Sequence, residues 1–351
     1  MWPHSDPIDL GSEANVLLSK APWFHRDSDR KGVTISKAQG LERRVASSMT
    51  GIGGADDLGL AWWNTALSPN RKKGRATPDE LTHACRVLNE LVAAGAALIG
   101  LCEISRTDVD HLGLHSALSG YLSSEPGSVV SPLSAFDTCI FYDPARLTLI
   151  NEADVLVAYG GGQLRVGQRF AMRPVDRVEE LHVIISHWPS RNTLGIHDPL
   201  RVLYGHALRE AVNKLLDPDT SAQIVLMGDY NDEPFSDSIA ISLRGSRDRE
   251  RSLARTDILY NPFWRHMASF QHWGHDPCSD QGTYFYKSGD VSRWHTFDQM
   301  MFSNSLLKGS KDLLLDEERT RAYVAPWLDA LVQRRDSIFD HRPIVGRLKR
   351  V

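Results

Sequence analysis

The chain is built from short, almost purely apolar runs separated by polar and turn-forming residues. Such runs span 58–63, 97–102, 138–142, 181–186, 223–228 and 297–302. A run of this length, rich in branched and aromatic side chains, predicts a strand covered on both faces. A further strand is expected at 147–151, joined to the one before it by the turn at Asp143-Pro144. Others are expected at 283–286 and 343–348. Two segments follow the helical period instead. Thr77-Pro78-Asp79-Glu80 reads as a capping box with proline at the first helical position. Leu81, Ala84, Leu88, Leu91 and Val92 then mark one face, and Gly95 suits the end. The second helix is expected over 199–216, with Leu200, Leu203, Ala207, Ala211, Val212 and Leu215 on its apolar face, and a short third over 236–243.

Strands with few helices between them predict an α/β fold with mixed sheets, because a parallel doubly wound sheet needs a crossover helix at each step. Residues 1–57 are polar, with short apolar pieces and a glycine-rich exit at Gly51, Gly53 and Gly54. They are expected to form an N-terminal extension or cap on a main domain at 58–351. The Arg- and Ser-rich stretch 244–257 is expected to be a mobile surface loop.

Composition narrows the class. The chain has 351 residues, 42% hydrophobic and 24% charged, which excludes a mainly disordered protein and leaves room for a large core. With 40 basic and 44 acidic residues the net charge is −4, so binding to nucleic acid would need a local basic patch or metal ions. Four cysteines stand without a CxxC pair, which argues against a disulfide scaffold and a structural zinc site. The N-terminus carries no apolar signal segment, and the stretch 91–102 is shorter than the roughly 18 residues of a membrane span. These features predict a soluble cytoplasmic protein with no membrane span.

Polar residues cluster at the ends of predicted strands. Asn64 follows Leu-Ala-Trp-Trp, Glu103 follows Leu-Ile-Gly-Leu-Cys, and His187 follows Val-Ile-Ile-Ser. Asp229 and Asn231 follow Ile-Val-Leu-Met-Gly, Asp298 precedes Gln-Met-Met-Phe, and Asp340-His341 precede Arg-Pro-Ile-Val. A strand end is rigid and places such groups accurately. Alone, each reads as a turn, cap or structural hydrogen bond. Together they supply hard oxygen ligands, a base and imidazoles, a set that suits Mg²⁺ or Mn²⁺ rather than zinc.

With those residues in order, the sequence resembles the endonuclease/exonuclease/phosphatase superfamily, in the form found in bacterial members of unassigned substrate. The matching pieces are Trp-Asn at 63–64, Leu-Cys-Glu at 101–103, Ser-His-Trp-Pro-Ser-Arg at 186–191, Gly-Asp-Tyr-Asn-Asp at 228–232, Phe-Asp-Gln at 297–299 and Phe-Asp-His-Arg-Pro-Ile at 339–344. Cys102 stands where many relatives have Gln, and Phe339 where Ser is common. Arg-Trp-His-Thr-Phe before Asp298 lacks the Trp-Cys-Asp-Arg pattern of inositol phosphatases.

The resemblance implies a four-layer α/β sandwich of DNase-like type, two packed mixed sheets flanked by helices, with the site at one rim. It implies Glu103 as main metal ligand, with Asn64 and Asp340 in or beside the metal shell. Asp229 would orient or deprotonate the attacking water, helped by Asn231. His341, held by Asp298, would donate to a non-bridging oxygen, and His187 would act from the other side of the phosphate. Arg191, and the run Arg71, Lys72, Lys73 and Arg75, are candidate phosphate contacts. Trp63 and Trp188 are expected in the core or stacked on a base. The activity implied is divalent-metal-dependent phosphodiester hydrolysis, with a nucleic acid as substrate and partner. The alternatives are a phosphatase or phosphodiesterase of small molecules or lipid headgroups, and an inactive binding scaffold.

Overall fold

The computed structural model describes residues 57–68, 76–124, 137–268 and 281–351. All but the last residue of the N-terminal segment expected as a cap, and the basic run at 71–75, lie outside them. The first part of the chain runs β1 (Leu58–Asn64), α1 (Pro78–Ala93), β2 (Ala96–Cys102), α2 (Arg106–His115), β3 (Leu122–Ser123), β4 (Cys139–Tyr142), β5 (Leu147–Tyr159), β6 (Gly162–Pro174) and β7 (Leu181–His187). Next come α3 (Pro199–Leu216), β8 (Gln223–Asp229), β9 (Gly245–Ser246), α4 (Arg249–Ala254), β10 (Leu259–Tyr260), β11 (Tyr284–Phe285) and β12 (Trp294–His295). The last part is β13 (Asp298–Phe302), α5 (Asn304–Lys308), β14 (Leu313–Leu315), β15 (Arg321–Ala322), α6 (Pro326–Gln333) and β16 (Ile344–Arg350).

Two mixed sheets form. One has the order β14-β16-β1-β2-β4-β3, with β15 beside β16; the other has the order β5-β6-β7-β8-β13-β10-β9. In the first, β1 and β2 are parallel and β16 is antiparallel to β1. In the second, β7 and β8 are parallel and β13 is antiparallel to β8. β11 and β12 make a separate antiparallel pair, tied to the first sheet's last strand region by a bridge between Tyr284 and His341.

The apolar side chains divide into three buried clusters, one for each interface of a four-layer sandwich. Leu60, Trp62, Leu98, Val183, Ile185, Val225, Met227, Met300 and Phe302 meet between the sheets. Ala61, Trp63, Ile99 and Leu101 point the other way, onto α1, α2 and α6. Ile184, Ile224 and Leu226 pack onto α3. Alternate residues of one strand thus enter different cores, and this is why the strands are continuously apolar. The expected four-layer sandwich is the observed one.

Three local expectations change. β5 runs to Tyr159 and pairs with β6 in a long hairpin turning at Gly160-Gly161, both with positive φ. On α3 the buried side is Arg201, Tyr204, Leu208, Arg209, Val212 and Leu216, so most of the expected leucine and alanine face lies at its flank. Arg201 is buried because its guanidinium donates to the carbonyls of Leu194 at 2.7 Å and Pro189 at 3.2 Å. Finally, 244–257 contains β9 and α4, the latter N-capped by Asp248, and Asp257 pairs with Arg244 and Arg255.

Candidate active site

The strand ends converge at one rim of the cleft between the sheets. Strand register explains how. His187 pairs with Asp229 across the parallel β7–β8 step, and Asp229 with Asp298 across β8–β13. Each continues the inward-facing row of its strand, behind Ile185, Met227 and Met300. From the opposite sheet, Asn64 continues the row of Leu60 and Trp62. Past the end of β2, Glu103 has φ 53°, which turns the chain there and departs from the strand's alternation.

Asn64 joins the two sheets chemically. Its Nδ2 donates to Glu103 Oε1 at 3.2 Å and to Asp229 Oδ2 at 3.1 Å, while Oδ1 accepts from Ala66 N at 3.1 Å. Expected as a ligand, it presents its amide nitrogen to the carboxylates and holds them together. Asp229 Oδ1 accepts the backbone N–H of Asn231 at 2.9 Å, and Asn231, at φ 51°, donates Nδ2 to Trp188 O at 3.0 Å.

Each imidazole is held by a carboxylate at Nδ1. His341 contacts Asp298 Oδ2 at 2.7 Å, and Asp298 Oδ1 accepts from Trp62 Nε1 at 3.1 Å. His187 contacts Asp137 Oδ1 at 3.1 Å. The two Nε2 atoms approach the same oxygen, Asp229 Oδ2, at 3.7 Å from His341 and 3.9 Å from His187. Glu103 Oε1 is 3.9 Å from His187 Nε2, and Asp340 Oδ1 is 3.9 Å from His341 Nε2.

These distances shift proton affinities. Burial pushes the Glu103 carboxyl up to about 7; His187 and His341 oppose this and Asp137 and Asp340 reinforce it. Burial alone would lower both imidazoles. For His341 the carboxylates of Asp298, Asp229 and Asp340 outweigh it and carry the pKa up to about 10. For His187, Asp137, Asp229 and Glu103 do the same, also to about 10. Both rings are therefore cationic at neutral pH. Burial also raises Asp340.

Asn64, Glu103, His187, Asp229, Asn231, Asp298, Asp340 and His341 come together. Arg191 joins through Asn231, whose carbonyl accepts its Nε at 3.1 Å. Arg71, Lys72 and Lys73 fall outside the described residues. Trp63 and Trp188 are fully buried core residues, donating to His341 O and Val166 O. Sequence reasoning missed Asp137, although Phe136-Asp137-Thr138 leads into β4 as Phe297-Asp298-Gln299 leads into β13. It also missed Tyr284, whose ring lies 4.7 Å from that of His341.

Asp229, Asp298 and His341 each offer a ligand atom within 4.8 Å of the others. With Glu103 and Asp340 beside them, carboxylate oxygens are concentrated where their negative charges repel one another. That chemistry fits a divalent cation.

An acid-rich strand rim with paired imidazoles, on two packed sheets, defines a hydrolase of phosphoesters with the DNase I-like fold. The chain belongs to the endonuclease/exonuclease/phosphatase family, whose model matches residues 68–336. None of the curated proteins compared matches the sequence. Solved structures show the same fold. The human Nocturnin catalytic domain with bound sulfate is 15% identical, with TM-score 0.55, covering 84% of this chain and 95% of its own. TDP2 from D. rerio, complexed with a single-strand DNA product, is 15% identical with TM-score 0.53, covering 84% and 99%. The mannosyl-6-phosphatase Bt3783 of Bacteroides thetaiotaomicron is 14% identical with TM-score 0.55, covering 83% and 99%. Among the described residues no helix is long and apolar enough to cross a membrane.

Proposed function

We propose that the protein is a Mg²⁺- or Mn²⁺-dependent phosphodiester hydrolase that cleaves nucleic acid, DNA or RNA, by attack of water. The observation carrying this reading is the approach of both imidazole Nε2 atoms to Asp229 Oδ2, which Asn64 ties to Glu103. Glu103 and Asp340 would hold the cation, with Asp229 within reach. Held there, a cation would supply neutralisation of phosphate charge and stabilisation of the leaving oxygen.

The chain's own groups do the rest. Asp229, fixed by Asn64 and by the Asn231 backbone, orients the water and accepts its proton at Oδ2. His341, with Nδ1 occupied by Asp298, directs Nε2–H at a non-bridging oxygen. Its positive charge meets the charge that grows in the transition state. His187, held by Asp137, donates to the scissile group or leaving oxygen from the other side. Arg191 grips a phosphate. The nucleic-acid reading is supported by Arg191 beside the site and by the basic run that follows Asn64 in sequence.

The test is a substrate panel with Mg²⁺, with Mn²⁺ and with EDTA: single- and double-stranded DNA, RNA, abasic DNA, a sphingomyelin analogue, inositol phosphates and sugar phosphates. Asp229→Asn serves as blank. Cation-dependent cleavage of a polynucleotide is expected. Turnover confined to sugar or inositol phosphates or the lipid analogue overturns the nucleic-acid assignment, and full turnover in EDTA overturns the role of Glu103. Function unchanged in Asp229→Asn would make the protein a binding scaffold.

A further inference from the structure

Tyr284 stands at the rim without a part in the proposed reaction. It is the first residue of β11, and its neighbours stitch it between two acids of the site. Asp298 N donates to Thr283 Oγ1 at 2.9 Å, and Phe285 N donates to Asp340 O at 2.7 Å. Arg342 N donates to Thr283 O at 2.7 Å. The last two bonds flank the bridge between Tyr284 and His341. They make it the closely spaced, non-hydrogen-bonded kind of pair, whose side chains stand beside each other on one face. The two rings accordingly lie 4.7 Å apart, tilted by 39°. Phe297 also stacks on Tyr284, at 5.1 Å and 15°.

The backbone and two ring contacts thus fix the phenol beside the imidazole whose Nε2 lies 3.7 Å from Asp229 Oδ2. The electrostatics of the hydroxyl agree with that placement. Burial, then Asp340, Asp229, Tyr286 and Glu103, hold its proton well above the ordinary phenol range. At neutral pH Tyr284 is therefore an O–H donor next to the acids of the site. The residue is half-buried. Its hydroxyl makes no hydrogen bond among the described residues and, unlike that of Tyr230, is not sealed in the core.

We propose that Tyr284 is a further catalytic residue, which donates its O–H to a non-bridging oxygen of the phosphate beside the Nε2–H of His341. The proposal rests on the phosphodiesterase reading above and adds a second, uncharged donor to it. A fixed donor aimed where negative charge grows needs no reorganisation during the reaction. Were Tyr284 only a support for the His341 ring, phenylalanine would serve equally. The ring, its stacking partners and the backbone bridge all survive that exchange.

The experiment compares the wild type with Tyr284→Phe on short oligothymidine and oligouridine strands. Each is used all-oxygen and with one phosphorothioate linkage, as separated Rp and Sp isomers. On the all-oxygen strand the variant should lose about 10²-fold in kcat, as for other oxyanion donors, with little change in KM. Sulfur accepts hydrogen bonds weakly. With the isomer that turns sulfur towards Tyr284, variant and wild type should therefore cleave at nearly the same rate. The other isomer should keep the full loss. A variant equal to the wild type on the all-oxygen strand, or one that loses equally on that strand and both isomers, overturns the donor while leaving the phosphodiesterase reading standing. A wild type that cleaves neither kind of strand overturns both.

Discussion

At the scale of single residues the site is an arrangement of charges that cannot relax independently. His341→Ala should lower kcat by about 10²–10⁴-fold with a much smaller change in KM, read from steady-state kinetics, because its donor acts on the transition state. Trp62→Phe removes the indole donor to Asp298 and leaves a buried carboxylate oxygen unpartnered. A loss of about 1–3 kcal/mol in urea unfolding is expected. Asn64, Glu103, His187, Asp229, Asp298 and His341 could be found in the sequence because each abuts an apolar run. Asp137 abuts the run at 138–142 in the same way, but its partner His187 lies far away in sequence. Its role comes from that pairing, and nothing local fixes such a partner.

Elements decide whether those residues stay in register. Gly228 sits immediately before Asp229, and a Cβ there would lie 2.2 Å from the carbonyl oxygen of Ser186 on β7. Gly228→Ala must therefore push β7 and β8 apart where they deliver His187 and Asp229. A loss of about 1–3 kcal/mol in thermal unfolding, with a fall in kcat, is expected. The strands at the centre of both sheets were readable because both their faces are buried. The β5–β6 hairpin was only partly readable: its outer half is exposed, and Glu152 and Asp154 interrupt the apolar signal. On α3 the helical period was right but the buried side was not, because hydrophobicity cannot foresee an arginine that is satisfied by carbonyls. The α1 start, with Thr77 and Glu80 forming both bonds of the capping box, follows directly from its four residues.

For the whole molecule, protonation and cation binding are linked through Glu103. Its carboxyl keeps a proton up to about pH 7, whereas in the unfolded chain it loses that proton in the ordinary carboxylate range. The folded state thus binds more protons across that interval, and cation-free stability should fall as pH rises through it. Mg²⁺ should bind more tightly over the same rise, since the ligand must be ionised. Calorimetric titrations from pH 5 to about 8 check both signs, and a pH-independent affinity would separate Glu103 from the cation. Turnover of a polynucleotide should also fall steeply with added salt.

The reacting groups sit at or just beyond the ends of strands in both sheets, whose interiors lie in the shared core. Among the described residues the chemistry is spread over both sheets, so its loss on heating should follow loss of their shared core. The midpoint for irreversible loss of hydrolysis should coincide with the main calorimetric transition, whereas a protein that assembled its catalytic groups on one peripheral loop would go silent first.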